Sequence, residues 1–358
     1  MGRRVVIMAG GTGGHVYPGL AVARELIDQG CEVHWLGTRN GLEARVVPEA
    51  GIQMHWLEVV GIRGKSWRGL LGAPWMLVKS LLQSGKLLRA ISPDVVLGMG
   101  GFVSGPGGLM AWLMGIPLVL HEQNRVPGTT NRWLSSRASR LLEAFEGSFP
   151  SSAGAIAIGN PVRREILRLK FLDRVQARGR PLRVFVLGGS LGAKVLNEVV
   201  PEALAQIEVP LEVWHQTGAA LKQQTQERYR SLGQVARVDA FIEDMAEAYA
   251  WADLAICRAG AMTVSEIAIA GLPSILIPFP HAIDDHQTRN AEVLVGAGAA
   301  ELLPQSELTA VALAFKVGAL LADSGRLEHM GIKAREMGRP DAAGDVAEIC
   351  ISLAGSSS

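Results

Sequence analysis

The sequence predicts an α/β protein built as two doubly wound, Rossmann-like domains facing each other across a cleft. Three observations predict this. Apolar runs rich in β-formers alternate with helical stretches along the whole chain, as in parallel sheets covered on both faces. The two halves repeat one another: "DVVLGMGGFVSGPGGLMAWLMGIPLVL" from Asp94 and "DLAICRAGAMTVSEIAIAGLPSILI" from Asp253 share one order of strand, turn, helix, Gly-Ile/Leu-Pro and strand. Each half also opens on a matching strand and glycine turn, "VVIMAGGTGG" and "VFVLGGSLGA".

In the first half the strand candidates are "RRVVIMA", "CEVHWLG", "PDVVLGM" and "PLVLHEQ"; in the second they are "PLRVFVLG", "LEVWHQT", "ADLAICR" and "PSILIPF". Residues 1–160 form the first domain and 161–340 the second, joined near "IGNPVRRE", Ile158–Glu165. The C-terminal stretch from about 341 to 358 reads as a helix with a frayed tail, which by fold analogy crosses back onto the first domain. Between the second and third strand candidates, "PWMLVKSLLQSGKLLRAI" is helical by pattern, and Pro74 suits its first turn. Trp75, Lys79, Leu82, Lys86 and Arg89 form one stripe of it; Leu77, Leu81 and Leu88 form a nearly opposite stripe, expected to face the core.

Composition narrows the classes. The chain has 358 residues, 48% hydrophobic and 19% charged, enough for two real cores and unlike a disordered chain. No uninterrupted apolar run is long enough to span a bilayer. The first apolar run, after Arg3 and Arg4, is short and reads as a strand, not a signal sequence. The three cysteines, Cys31, Cys257 and Cys350, lack metal-ligand spacing and fit a reduced compartment. The net charge of +1 hides an asymmetry: residues 1–160 hold fifteen Lys/Arg against ten Asp/Glu, and the remainder twenty against twenty-four. No acidic residue lies between Glu58 and Asp94, so an anionic partner is expected there.

Glycine-rich turns fall at predicted strand ends three times, at Gly10–Gly14, Gly98–Gly108 and Gly188–Gly192. Such turns expose backbone N–H groups at helix N-termini and suit a phosphate-bearing ligand. A P-loop is excluded, since Leu20 stands where its lysine is required and Lys194 of "GGSLGAK" has the wrong spacing. A dinucleotide fingerprint fails at Val16, and no acidic residue closes "VHWLGT" to bind a ribose. A nucleotide-sugar enzyme remains.

Here the motifs resemble a known family. "GGTGGHVYPGLAVA", "GMGGFVSGPGG", "HEQNRVPGTTNR", "GNPVR", "GGSLGA" and "RAGAMTVSEIAIAGLPSILIPFP", in this order, resemble the MurG transferases of peptidoglycan synthesis. The resemblance runs from residue 5 to about 340. It implies the GT-B glycosyltransferase fold and transfer of GlcNAc from UDP-GlcNAc to the 4-hydroxyl of MurNAc on undecaprenyl pyrophosphate with its pentapeptide, with inversion. It implies a peripheral protein on the cytoplasmic face of the bacterial inner membrane, in contact with other cell-wall synthesis and division proteins and not with nucleic acid. No tightly bound cofactor and no metal cage are expected; a divalent cation loosely held with the diphosphate stays open. A UDP-GlcNAc 2-epimerase and a non-catalytic sugar-nucleotide sensor are the competing readings.

The same resemblance assigns residues. The second half is implied to hold the nucleotide: Ile242 meets uracil through its backbone, Arg163 reaches uridine or phosphate, and Ser190 donates to the diphosphate. Ala261, Met262, Thr263, Val264 and Ser265 open a helix on the α-phosphate, Glu266 accepts from the ribose hydroxyls, and Gln287 holds GlcNAc hydroxyls. Taken alone, Ser190 also reads as a helix N-cap and Glu266 as a residue favoured by the helix dipole. His286 stands where relatives have Gln, which leaves the role of that position open, and Leu191 stands where "GGSQGA" is common, so one polar side chain is lost at the third glycine loop. In the first half Thr12, Gly13 and Gly14 face the sugar and diphosphate, and Asn124 contacts GlcNAc. His15 is the candidate for the acceptor proton or, protonated, for the acceptor pyrophosphate; Glu122 is a second candidate base. The exposed stripe Trp75, Lys79, Leu82 and Lys86, with Trp67, Leu70 and Leu71 just before it, predicts docking on an anionic membrane surface.

Overall fold

A computed structural model of the protein describes residues 2–59, 73–172, 180–189 and 192–355. The chain divides into two compact units, one of the residues up to Arg163 together with those from Pro340 onward, the other Arg164–Arg339. The junction motif is thus split between Arg163 and Arg164, and the C-terminal helix belongs to the first unit.

The first unit is a seven-stranded, all-parallel sheet in the order β3-β2-β1-β4-β5-β6-β7. Its strands are β1 (Arg4–Met8), β2 (Glu32–Gly37), β3 (Gln53–Trp56), β4 (Val95–Gly98), β5 (Leu118–Glu122), β6 (Arg140–Glu143) and β7 (Ile156–Ala157). Among the described residues ahead of the junction its helices are α1 (Gly13–Asp28), α2 (Glu43–Glu49), α3 (Ala73–Ile91), α4 (Ser104–Leu113) and α5 (Thr129–Leu134). Both faces of the sheet are buried. Val5, Ile7, Val95 and Leu97 pack with Val16, Leu20 and Leu26 on one side; Val6, Met8, Val96 and Leu120 pack with Leu88, Val103 and Ala111 on the other. This explains why these strands read as continuous apolar runs and not as alternating ones.

The second unit is a six-stranded parallel sheet in the order β10-β9-β8-β11-β12-β13. It contains β8 (Leu182–Leu187), β9 (Leu211–Gln216), β10 (Ala236–Asp239), β11 (Leu254–Cys257), β12 (Ser274–Leu276) and β13 (Ala300–Leu302). Its helices are α6 (Arg164–Leu167), α7 (Lys194–Leu204), α8 (Lys222–Ser231), α9 (Met245–Trp251), α10 (Ala261–Ala270), α11 (His286–Gly296), α12 (Ala310–Ala322) and α13 (Ser324–Met337). Its strand order is that of a dinucleotide-type fold, and six strands of the first unit repeat it. The internal repeat reaches single hydrogen bonds. The Asp94 carboxylate accepts the Arg4 N–H at 2.7 Å, and the Asp253 carboxylate accepts the Arg183 N–H at 3.0 Å. In each unit an aspartate thus ties the first central strand to the second.

The last helix, α14 (Ala342–Gly355), buries Val346, Ala347, Cys350 and Ala354 in the same cluster as α1. The three cysteines are free thiols. One expectation is corrected on α3. Leu77 is 48% exposed, and the buried seam runs through Ser80, Ser84, Leu88 and Ile91. Small residues at the front of that seam let α3 approach α4 closely: a Cβ on Gly85 would lie 2.9 Å from the Met110 methyl. Each serine satisfies its own hydroxyl on the preceding turn, Ser80 to Leu77 O and Ser84 to Ser80 O, both at 2.8 Å.

Candidate active site

The strand order reverses between β1 and β4 and again between β8 and β11, and the glycine turns lie at the carboxyl ends of these strands. Open α/β sheets bind ligands at such switch points.

In the first unit, the turn after β1 is held by a residue that sequence reasoning missed. Glu43 is fully buried, and its carboxylate accepts Gly11 N–H at 3.1 Å, Thr38 N–H at 2.9 Å and Thr38 Oγ at 2.7 Å. A Cβ at Gly10 would come within 2.7 Å of that carboxylate, so the glycine is required by close approach. Thr12 precedes α1 in an extended conformation, and its carbonyl accepts the His15 and Val16 N–H groups. Gly13 and Gly14 form the first turn of α1, with Thr12 exposed at its tip.

His15 is half-buried, and its Nδ1 lies 2.7 Å from Gln123 Oε1. Its ring also lies against the second glycine turn: a Cβ at Gly100, where φ is +96°, would lie 2.9 Å from both Nδ1 and Cε1 of His15. Ser104, at the start of α4, accepts the Gly100 N–H at 3.1 Å and so fixes that turn.

At the end of β5, His121 is fully buried; Nε2 lies 2.8 Å from Gly159 O, and burial pushes the ring's pKa down to about 4. Glu122, 2% exposed, spends both carboxylate oxygens on its own loop and on α5. It accepts Asn124 N–H at 2.9 Å, Asn124 Nδ2 at 3.3 Å, Gly128 N–H at 3.0 Å and Asn131 Nδ2 at 2.9 Å. Asn160, in the "GNPVR" motif, donates to Gln123 O at 3.1 Å. These bonds are the physical content of "HEQN…TTNR…GNP": a buried brace that shapes the loop presenting Asn124. The Arg163 guanidinium stacks 5.2 Å over the Tyr17 ring of α1.

In the second unit the turn after β8 is close-packed against β9. A Cβ at Gly192 would lie 1.9 Å from Thr217 O. Gln216, unremarked in the sequence, joins two predicted parts: its Nε2 donates to Gly189 O at 3.0 Å and its Oε1 accepts Ile242 N–H at 2.9 Å. Ile242 is buried, with its N–H already engaged. Ser190 and Leu191 lie outside the described residues.

Helix α10 follows β11 through Gly260, with Ala261 and Val264 turned into the core and Met262, Thr263 and Ser265 half-buried. Glu266 is 6% exposed, and its Oε2 accepts the hydroxyl of the buried Tyr249 at 3.0 Å. Arg258 donates to Ile277 O at 3.1 Å, Pro278 O at 3.0 Å and Gln305 Oε1 at 2.6 Å, so its charge holds the turn after β12. On the same turn Phe279 N–H donates to Gln287 Oε1 at 2.9 Å, which orients the Gln287 amide. Two consecutive aspartates ahead of α11, Asp284 and Asp285, adopt φ of +53° and +51°. The second unit therefore gathers Gly188, Gly189, Gly192, Ile242, Ala261–Glu266 and Gln287 at the carboxyl ends of its strands. The first gathers Thr12–His15 and Glu122–Asn124 in the same way.

Trp75, Lys79, Leu82 and Lys86 stand exposed on α3, outside these loops. Lys79 pairs with Glu58. Helix α4, packed on α3, and α5, packed on α4, add exposed Trp112, Leu113 and Trp133. Arg137 lies 5.3 Å over the Trp112 ring and 4.9 Å over that of Trp133. Trp67, Leu70 and Leu71 lie outside the described residues. Among the described residues no helix is long and apolar enough to cross a membrane.

Comparison with known proteins gives a consistent result. Residues 5–142 match the glycosyltransferase family 28 N-terminal domain, and residues 183–346 match the family 28 C-terminal domain. The chain is 60% identical, over 99% of its length and 100% of the relative's, to a UDP-N-acetylglucosamine–N-acetylmuramyl-(pentapeptide) pyrophosphoryl-undecaprenol N-acetylglucosamine transferase of Methylococcus capsulatus. It is 52% identical to the transferase of that name in Aeromonas hydrophila, over 99% of this chain and 98% of the relative. The crystal structure of Acinetobacter baumannii MurG superposes with a TM-score of 0.83 at 40% identity, covering 98% of this chain and 99% of that one. A UDP-GlcNAc 2-epimerase from Neisseria meningitidis, at 13% identity and a TM-score of 0.69 over 98% of this chain and all of that one, shares the fold alone. With both halves matched in order and full-length relatives above half identity, the chain belongs to glycosyltransferase family 28 and has its two-domain GT-B fold.

Proposed function

We propose that the protein transfers GlcNAc from UDP-GlcNAc to the 4-hydroxyl of undecaprenyl-pyrophosphoryl-MurNAc-pentapeptide, the step from lipid I to lipid II in peptidoglycan synthesis. The observation that carries this reading is the full-length, 60% identical relative bearing that transferase name. The epimerase reading has only a shared fold behind it.

In this reading the second unit holds the donor. The N-terminus of α10 meets the α-phosphate, Glu266 takes the ribose hydroxyls, and Gln287, its oxygen held by Phe279 N–H, offers its amide nitrogen to GlcNAc. Ile242 meets uracil through its carbonyl, since its N–H is taken by Gln216. Ser190 donates to the diphosphate, and Arg163, the last residue of the first unit before the junction, reaches uridine or phosphate. In the first unit Thr12, Gly13, Gly14 and Asn124 complete the sugar site. His15 takes the proton of the MurNAc 4-hydroxyl as that oxygen bonds to the anomeric carbon and the bond to UDP breaks, turning α into β. Charge on the departing UDP is met by helix N-termini and turn amides. Glu122 does not serve as base, because its carboxylate is occupied by four N–H groups of its own loop and of α5. The enzyme works as a peripheral protein on the cytoplasmic face of the inner membrane, docked through α3 to α5.

The test is direct. The protein is incubated with UDP-GlcNAc and the lipid-linked MurNAc-pentapeptide, and UDP release and the disaccharide lipid are read by mass. UDP-ManNAc formed without acceptor, or binding without turnover, overturns the reading.

A further inference from the structure

We propose that Gln123 is a positioning residue that locks neutral His15 into the tautomer with its proton on Nδ1 and its lone pair on Nε2, through a hydrogen-bond relay running from Gly159 O by way of His121. This deepens the reading of His15 as general base and rests on it.

The direction of the relay follows from groups that can only accept. Gly159 O lies 2.8 Å from His121 Nε2, so that nitrogen carries a proton. His121 is fully buried, with a pKa pushed down to about 4, so at neutral pH it carries no second one. Its Nδ1 is therefore an acceptor. The group 3.1 Å from it must be the amide nitrogen of Gln123, and that same nitrogen lies 3.1 Å from His121 O, a second acceptor. Two independent acceptors thus fix which end of the Gln123 amide is nitrogen, a choice heavy-atom positions alone leave open. The other end, Oε1, lies 2.7 Å from His15 Nδ1 and can only accept, so Nδ1 carries the His15 proton. The lone pair is left on Nε2.

The relay is built to stay in one arrangement. Gln123 is 1% exposed, and its backbone carbonyl is held by Asn160 Nδ2 at 3.1 Å. The His15 ring lies against Gly100, where any side chain would crowd Nδ1 and Cε1. In the serine-protease triad a buried carboxylate does the same orienting work and also stabilises the imidazolium. Here a neutral amide orients the ring and adds no countercharge.

A long-range proton–nitrogen NMR spectrum of the wild-type protein tests the assignment, with His15→Gln used to identify the His15 signals. The expected result is a protonated Nδ1 and an unprotonated Nε2 in the neutral imidazole. In Gln123→Met, of similar length but without the acceptor, His15 is expected to become a mixture of tautomers. Its kcat is expected to fall at least tenfold, with KM for both substrates within threefold. A wild-type His15 protonated on Nε2 overturns the proposal and needs no variant. So does a folded Gln123→Met that keeps wild-type kcat while His15→Gln loses it. If His15→Gln itself keeps kcat, the base reading fails with the relay's catalytic purpose, whatever tautomer is seen.

Discussion

The Glu43 carboxylate, the start of a helix on the far side of β2, accepts the backbone N–H of Gly11 at 3.1 Å. A fully buried acid thus shapes the first glycine turn from outside the motif, and its other oxygen is tied to Thr38 through both the backbone N–H and the hydroxyl. In Glu43→Gln one oxygen becomes an NH2 facing an N–H donor, leaving buried donors opposed. The expected loss is about 1–3 kcal/mol of stability, with a fall in kcat/KM of roughly tenfold as the turn bearing Thr12 to His15 relaxes. Urea unfolding and the rate of lipid product formation measure both. Unchanged values would show that the glycines hold the turn unaided.

Glu122 and His15 are separated by the same pair of measurements. Glu122→Gln removes one acceptor from a set of four N–H donors, so it should lower stability by about 1–3 kcal/mol while kcat falls less than about tenfold. His15→Gln touches a half-buried side chain and should leave the melting temperature within a few degrees, yet cost kcat about 10²–10⁴. A Glu122→Gln enzyme that melts like wild type but loses kcat a hundredfold would restore Glu122 as the base.

Tyr249 is fully buried beneath α10, and its hydroxyl donates to Glu266 Oε2 at 3.0 Å. If Glu266 receives the ribose, this bond sets where its carboxylate stands. Tyr249→Phe should weaken UDP by about fivefold, roughly 1 kcal/mol, and raise KM for UDP-GlcNAc similarly while kcat stays within threefold. Calorimetric titration with UDP reads the first number. Unaltered affinity would place the ribose elsewhere.

Two buried histidines make stability depend on pH. Burial lowers the pKa of His121 to about 4 and of His215 to about 3, from the ordinary 6.5. Both are neutral in the folded protein at pH 7, and both gain a proton on unfolding once the pH drops below 6.5. Their contribution to stability is complete above 6.5 and is lost as the pH falls toward the folded values. Between pH 7 and 4.5 each should remove about 2–3 kcal/mol. Urea midpoints across that range should decline steadily; a flat profile would contradict the neutral, buried state from which the His15 tautomer was derived.

The fold was legible where strands are central and both faces are covered. β1, β2, β4 and β5, and β8, β9, β11 and β12, all stand where apolar runs predicted them. The strands that escaped notice are edge or near-edge strands, such as β6 with Arg140 and Glu143 at its ends, β10 with "ARVD" and the three-residue β13. A short strand at or beside a sheet edge need not be apolar throughout, so it leaves no run to find. The motif residues themselves were visible, but the residues that aim them were not. Glu43, Gln123, Gln216 and Tyr249 lie up to 108 positions from the groups they hold. No local spacing records a hydrogen bond across such a distance. The inward stripe of α3 misled for a related reason: leucines predicted the buried face, whereas close helix packing selected Ser80, Ser84 and Gly85.

The exposed apolar side chains of the first unit lead to the last prediction. Trp75 is 73% exposed and Leu82 69%, on the face of α3 that also carries Lys86 and Arg89. Trp112, Leu113 and Trp133 continue the exposed apolar set onto the next two helices, with Arg137 stacked on both indoles. Large apolar groups left in water beside cations suit insertion among anionic headgroups. Burying one such side chain is worth about 1.5–3 kcal/mol, so Trp75→Glu with Leu82→Glu should reduce partitioning onto anionic vesicles at least tenfold. Both residues lie outside the turns assigned to nucleotide and sugar, so UDP affinity should not change. Turnover of a lipid-linked acceptor in vesicles should fall with binding, while turnover of a short-chain, water-soluble acceptor is retained. Arg137→Ala should have a smaller effect in the same direction, since it removes one charge and two ring contacts worth about 0.5–1 kcal/mol each when exposed. Equal vesicle binding by the double variant would remove α3 from the docking face and leave the exposed tryptophans to another partner.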